Sequence, residues 1–410
     1  MSEAKLKAIS LFSGVGGLDF GFEAAGYETR VALDFDATAC ATMRLNRRWP
    51  VIEGAIEDIS SAQLLKAAGL GVAEADVLIG GPPCQPFSKS GYWSKGDARR
   101  LDDPRADTLY HYLRVLRDTR PQAFLLENVP GLAYQGKSEG VEVVRRGIER
   151  INADVGTNYS FEVKALNAAS FGVPQLRERV FIVGSRDGRA FQFPKPTHFA
   201  PGSEEALAGR QTYTTAWDAF HDLKVVESEE LKVKGKWAEL LPSIPEGQNY
   251  LWHTDRGGGT PLFGWRRRYW NFLLKLSKGK PSWTVQAQPG PATGPFHWDN
   301  RRLSTEELCR IQTFPDRLTF DCSQSQIQKL VGNAVPSALA EVLAREIASQ
   351  FFGFDDALSP PVLAPKSKTP SPPPTMVRRV PAQYLHLVGS DSAHPGKGMG
   401  RSAITRTDNA

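Results

Sequence analysis

Ser10-Leu11-Phe12-Ser13-Gly14-Val15-Gly16-Gly17-Leu18, followed at the next strand end by Leu33-Asp34-Phe35-Asp36, decides how this chain folds. Ala8–Phe12 reads as a buried strand, Leu18–Ala25 as a helix, and the glycines between them as a tight turn. Glycines in that place let a ligand approach backbone amides at a helix N-terminus. The second strand, Glu28–Asp34, ends in an acid placed to take the ribose hydroxyls of an adenosine-type ligand. The glycines lack the G-x-G-x-x-G spacing, so a nicotinamide cofactor is less favoured than another adenosine ligand. A plain tight turn is the alternative.

Outward from this unit the alternation continues. Val77–Ile79, Ala123–Glu127 and Arg179–Val183 read as further strands, with helices at Ala37–Asn46, Ala62–Ala68, Thr108–Arg117 and Val141–Ile151. Short apolar strands alternating with amphipathic segments predict an α/β fold, a mostly parallel sheet with helical crossovers. From about Gly188 to Trp298 the alternation fails and Gly, Pro and Trp rise, which predicts a smaller, loop-rich domain. Ser304-Thr305-Glu306-Glu307 fits a capping box, and Ser337–Phe352 an amphipathic helix. The expected organisation is residues 1–187, a loop-rich region 188–320, a helical segment 321–353 and a tail 354–410. The tail is rich in Pro, Ser and Thr with few core formers, and is expected to be disordered.

The 410 residues, 41% hydrophobic, suffice for a sizeable core. No run of about 18 apolar residues occurs, so no membrane span is expected, and Met1–Lys7 lacks a signal-peptide apolar region. Cys40, Cys84, Cys309 and Cys322 form no C-x-x-C pair, which argues against a zinc ribbon or disulfide framework and for a cytoplasmic setting. Seven Lys/Arg against Asp391 and Asp408 from Leu358 onward account for the whole net charge of +5. The body is formally neutral, and any polyanion must be met by local clusters.

Three segments carry candidate chemistry. Gly80-Gly81-Pro82-Pro83-Cys84-Gln85-Pro86-Phe87-Ser88 holds a thiol between prolines after a strand, as a nucleophile requires, although a structural turn would read the same. Gln122-Ala123-Phe124-Leu125-Leu126-Glu127-Asn128 places a carboxylate at the end of an apolar strand, where desolvation favours its protonated form and suits a general acid; a turn-capping Glu is the alternative. In Gln175-Leu176-Arg177-Glu178-Arg179, alternation puts both arginines on one side, converging on one site or forming a surface ladder with Glu178.

Between Gly264 and Arg302, Arg266, Arg267, Arg268, Lys275, Lys278, Lys280, Arg301 and Arg302 are threaded with Trp265, Tyr269, Trp270, Phe272, Trp283, Phe296 and Trp298. Such interleaving can meet phosphates and bases together, or be a solvated basic face over an aromatic mini-core.

Taken in order, Phe-Ser-Gly-Val-Gly-Gly, Pro-Pro-Cys-Gln, Glu-Asn-Val, Gln-x-Arg-x-Arg, Arg301…Glu307…Phe314-Pro315 and Gly332-Asn333-Ala334-Val335-Pro336 resemble the C5-cytosine DNA methyltransferases of bacterial restriction–modification systems, over residues 8 to 350. The resemblance implies a Rossmann-like methyltransferase fold using S-adenosylmethionine, helices on both sheet faces, and a target-recognition domain. It implies Cys84 as the nucleophile at C6 of a flipped cytosine, Glu127 at N3 and the exocyclic amine, Arg179 at O2 with Arg177 alongside, and methyl transfer to C5. It places Phe12, Gly14, Gly16, Gly17, Asp34, Phe35, Leu109 and Asn333 at the cofactor. Ala55 stands where the family usually has an adenine-binding Asp, so either Glu57 or Asp58 compensates, with Asp58 taken as the candidate, or the contact is lost. Gln85, Ser88, Arg266, Arg267, Arg268 and Arg301 are the expected DNA contacts. The implied partners are double-stranded DNA and, genetically, a restriction endonuclease, with the enzyme a cytoplasmic monomer. The alternatives are an RNA (tRNA) cytosine-C5 methyltransferase and an inactive DNA-binding homologue.

Overall fold

A computed structural model describes residues 5–83, 107–133, 139–226, 228–354, 360–365 and 369–391. Strands β1 (Leu6–Leu11), β2 (Tyr27–Asp34), β3 (Val51–Glu53), β4 (Val77–Gly80), β5 (Ala123–Asn128), β6 (Ser160–Asn167), the short β7 (Gln175–Leu176) and β8 (Glu178–Ser185) follow in chain order. Seven of them form one sheet in the order β3-β2-β1-β4-β5-β8-β6. All neighbours are parallel except β8, which runs antiparallel to both β5 and β6. The mostly parallel sheet expected from the sequence is present.

Strand period explains the layers. On β5, Ala123 and Leu125 face one side with Ala8, Val77, Ile79, Phe181 and Val183, under the helices Gly17–Ala24 and Ser337–Phe352. Phe124 and Leu126 face the other with Ile9, Leu11, Leu78, Val180 and Ile182, under Ser61–Ala68, Asp107–Thr119 and Glu139–Val155. Each fully buried Val, Leu, Ile or Phe side chain here contributes roughly 1.5–3 kcal/mol. Helix Ser337–Phe352, from the far end of the chain, packs directly on Gly17–Ala24. A Cβ on Gly21 would sit 2.4 Å from that of Ala340.

Differences from expectation are few and have causes. β3 and β6 were not anticipated: β3 has only three residues, and β6 is an edge strand whose Ser160–Asn167 sequence is mostly polar. Helix Thr305–Ile311, capped reciprocally by Ser304 and Glu307, packs with Gln324–Asn333 in a cluster that also holds Phe20 and Ala39. That cluster also takes in Ala216, Phe220, Leu276 and Trp298, so it joins the loop-rich region to the first helices of the sheet. A separate core of Leu240, Tyr250, Phe263, Phe272, Leu273 and Phe296 organises the loop-rich region. Of the tail expected to be disordered, residues 369–391 lie on that region, and Tyr384 enters its core. Tyr384 alone supplies the anchoring aromatic that the Pro-rich composition hid.

Candidate active site

The sheet order reverses between β1 and β4, and in open α/β sheets ligands bind at such a switch point beyond the carboxyl ends of the strands. A cavity of about 490 Å³ lies there. Its wall comes from Phe12, Ser13, Gly14 and Gly17 after β1, Asp34 and Phe35 after β2, Gly81–Pro83 after β4, and Glu127–Val129 at the end of β5. Arg177 and Arg179 close it beside β8, and Asn333–Val335 come from the end of the chain.

The glycine turn is shaped by its conformations. Gly14 and Gly16 have φ of 55° and 88°, the left-handed region, and Gly16 is the N-cap of helix Gly17–Ala24. A Cβ at Gly17 would lie 2.5 Å from the Val335 carbonyl oxygen, so only glycine lets the two chain ends meet. Asp34 holds the turn by accepting from the Gly14 amide at 2.7 Å and from the Asp36 amide at 2.8 Å. Burial pushes the Asp34 carboxyl up, and these amides partly offset it. Phe35 projects its ring with 68% exposure into the cavity wall.

These residues fit an adenosine-type cofactor such as S-adenosylmethionine: an acid with free lone pairs, an open aromatic face and a glycine cradle that a Cβ would fill. Asp36 and Lys329 join the wall unanticipated. Asp36 caps helix Ala37–Asn46 through Thr38 and Ala39 and pairs with Lys329 at 2.7 Å. Burial opposes its ionisation, but Lys329 and the helix amides outweigh that and hold its carboxyl below the usual range.

At the opposite side Glu127 accepts from Arg179 Nε at 2.9 Å. Arg179 stands at the start of its strand, and only the reversal of β8 brings that start to the carboxyl edge of the sheet, beside the end of β5. Burial raises the Glu127 carboxyl, while Arg179 and then Arg177 pull it back down. A Cβ on Gly81 would meet the Glu127 Oε2 at 3.0 Å, so the strand end after β4 leaves this carboxylate room.

Arg177 lies beside the pair but is differently employed. It is 1% exposed and donates to the carbonyls of Gly332 at 2.9 Å and Val285 at 3.4 Å. It thus locks the Gly332–Asn333 turn into the wall, while its buried Nε has no hydrogen-bond partner among the described residues. Sequence alternation could place Arg177 but not find these carbonyls, which are more than 100 residues away.

Other expected residues separate. Leu109 is 5% exposed in the hydrophobic layer and does not line the cavity, because its helix turns that face to the sheet. Asp58 and Glu57 are exposed and do not line this cavity. Asp58 instead closes a local turn, its amide donating to the Ala55 carbonyl. Cys84, Gln85 and Ser88 lie outside the described residues; Pro83, immediately before Cys84, lines the cavity.

The basic–aromatic segment divides. Phe272, Phe296 and Trp298 are buried, and so are Lys275 and Lys278. Lys275 donates to the Ile244 carbonyl and Asn300, and burial pulls its ammonium down to about 8. Arg301, expected at DNA, instead makes a two-pronged pair with Glu307 at 2.7 Å and 2.7 Å, since Glu307 is buried and needs a counter-charge. Arg266 and Arg268 remain exposed, with Arg267 half-buried, beside the exposed Tyr269, Trp270 and Trp283. Trp270 and Trp283 meet edge to face at 5.7 Å. Ser282–Trp283 pairs with β7, and the chain then runs through Val285 to Ala287 and Gln288 in the cavity wall. Both the aromatic core and the exposed basic patch anticipated from the sequence are therefore present, in different residues.

A Rossmann-like sheet with a cofactor-type cradle and a buried Glu–Arg pair in one cleft defines a group-transfer enzyme of the methyltransferase fold class. Residues 6–349 match the model of the C-5 cytosine-specific DNA methylases, and the chain belongs to that family. It is 42% identical over 376 residues to the type II methyltransferase M.SacI of Streptomyces achromogenes, covering 86% of this chain and 95% of that protein. It is 34% identical to M.NgoFVII of Neisseria gonorrhoeae, with 85% and 88% covered. Among solved structures, the Entamoeba histolytica methyltransferase EhMeth superimposes with a TM-score of 0.57 at 17% identity, covering 85% of this chain and 99% of that one. A Spodoptera frugiperda DNMT2 mutant gives 0.56 at 16% identity, with 83% and 99% covered; both show the shared fold. Among the described residues no helix is long and apolar enough to cross a membrane.

Proposed function

We propose that this DNA cytosine methylase modifies C5 of a cytosine extruded from a specific duplex sequence, within a restriction–modification system. The observation that carries the proposal is the buried Glu127–Arg179 pair, set in the same cleft as the glycine cradle. Cytosine presents an exocyclic amine and N3 beside O2, a donor, acceptor, acceptor edge. A carboxyl held toward its protonated form can serve N3 and the amine, and a guanidinium can serve O2. The unpartnered Arg177 Nε adds a buried donor at the same wall.

Cys84 is the proposed nucleophile, adding through sulfur to C6 so that the ring becomes electron-rich at C5; Glu127 stabilises charge developing at N3. Asp34, Phe35, the Phe12–Gly17 turn and Asn333 would hold S-adenosylmethionine, which would supply the electrophilic methyl group to C5 and leave as S-adenosylhomocysteine. Loss of the C5 proton then expels the Cys84 thiolate. The turn from Gly81 to Pro83 holds the approach to Cys84, and Arg266, Arg267 and Arg268 with their exposed aromatics meet the duplex. The enzyme is read as a cytoplasmic monomer.

The test is methyl transfer from tritiated S-adenosylmethionine to unmethylated plasmid DNA, with bisulfite sequencing of the product. Methylation confined to one cytosine of a recurrent sequence is expected, and Cys84→Ser should abolish it. Transfer to tRNA in preference to the plasmid would overturn the DNA reading.

A further inference from the structure

The C-terminal segment touches both halves of the molecule. On the catalytic lobe, Glu341 of helix Ser337–Phe352 is fully buried and takes the amides of Val362 at 2.8 Å and Leu363 at 3.0 Å. On the recognition region, the Thr375 amide donates to Glu246 at 2.7 Å, and Thr375 Oγ1 accepts from Lys278, the buried partner of Glu246. Farther on, the Arg378 amide reaches the Pro242 carbonyl at 3.0 Å, and Tyr384 Oη donates to the Lys236 carbonyl at 2.7 Å.

Two contacts bear on the basic patch. The Tyr384 ring stacks on Trp237 with centroids 5.8 Å apart, and Trp237 is one of three rings over which the Arg268 guanidinium rests. The Asp391 carboxylate accepts from the Gly264 amide at 2.9 Å, at the root of the turn in which the Arg267 amide donates back to the Gly264 carbonyl. Arg266, inside that turn, has a φ of 56°, a conformation that side chains adopt only where their surroundings impose it.

We propose that residues 360–365 and 369–391 act as a strap that ties the recognition region to the catalytic lobe and positions the Arg266–Arg268 turn for DNA. Tyr384 and Asp391 are positioning residues, acting through Trp237 and Gly264. The inference rests on the reading of Arg266–Arg268 as DNA contacts. The strap adds no chemistry of its own. It lowers the number of conformations the basic turn must abandon on meeting a duplex, and so strengthens binding by preorganisation.

The test uses the intact chain, Asp391→Ala, Tyr384→Ala, and a chain ending at Phe354, each with unmethylated plasmid DNA and S-adenosylmethionine. For the shortened chain the KM for DNA should rise about tenfold or more, while the cofactor Kd stays within about twofold. A synthetic peptide of residues 360–391 added in trans should restore it. If the shortened chain does not fold, the single variants decide: in Asp391→Ala the KM for DNA should rise about threefold with kcat unchanged. Unchanged KM in both single variants overturns the strap, and so does a cofactor Kd that rises in step with KM. Hydrogen exchange at the Gly264 amide, protected in the intact chain and fast in Asp391→Ala, reports the strap without DNA. If that holds but no variant, nor the intact chain, binds DNA, the functional reading falls and the strap stands as a fold element.

Discussion

Glu127 and Arg179 face each other at 2.9 Å across two antiparallel strands of a mostly parallel sheet, one at a strand's end and the other at a strand's start. Their pairing fixes what each substitution should do. Glu127→Gln keeps the size but not the titrating proton, and methyl transfer in a single turnover should fall roughly 10²–10⁴-fold. Cofactor binding, measured by calorimetry, should be unaffected, because Asp34 and the glycine turn occupy the other wall.

Arg179→Ala strands a buried carboxylate. Loss of one partner of a buried pair costs about 3–5 kcal/mol, as the other charge is left uncompensated. Burial already raises Glu127, and Arg179 is the strongest counterweight. The deficit in thermal midpoint against the intact chain should therefore shrink as pH falls and Glu127 takes a proton. A deficit independent of pH would contradict the assignment.

Asp19 predicts a stability profile of its own. Its side chain is fully buried in the first turn of helix Gly17–Ala24, and one carboxyl oxygen has no hydrogen-bond partner among the described residues. Burial lifts its carboxyl from 3.8 to about 7, against weaker opposition from Ser10 and Thr29. A folded value above the unfolded one contributes stability at low pH that is lost as pH rises through about 7. Asp19→Asn should flatten this profile and raise the midpoint at pH 8 by about 2 °C or more by calorimetry.

Two arginines of one cluster should behave oppositely. Arg266→Ala, at an exposed site, should reduce the slope of log affinity against log salt by about one and leave stability unchanged. Arg301→Ala should lower the melting temperature, because the buried Glu307 loses its two-pronged guanidinium partner, with the salt slope intact. Equal salt effects from both would contradict the division of the cluster.

Legibility followed the range of the interactions. The glycine turn, Asp34 and Glu127 could be read because strand, turn and helix signals within a few residues place them. Edge strand β6 could not, since one exposed face lets polar residues such as Glu162 and Lys164 stand where apolar ones were sought. The two roles of the basic cluster were indistinguishable in sequence: Arg301 and Arg266 look alike until Glu307 is found six residues beyond one of them. Leu109 and Arg177 show the same limit, for what each touches depends on how the sheet stacks. The placement of residues 369–391 could not be read, because the partners of Tyr384 and Asp391 lie more than a hundred positions earlier.

The closure of Gly17 on Val335 has a consequence for synthesis. Translation delivers Phe12 and Asp34 early and Lys329 and Asn333 near the end, yet all four stand in one wall. A nascent chain still threaded through the ribosome short of Val335 holds half a cleft and should retain no cofactor. Abortive translation products would then be silent toward the genome, and a cell would acquire the modifying activity only from chains completed through that point.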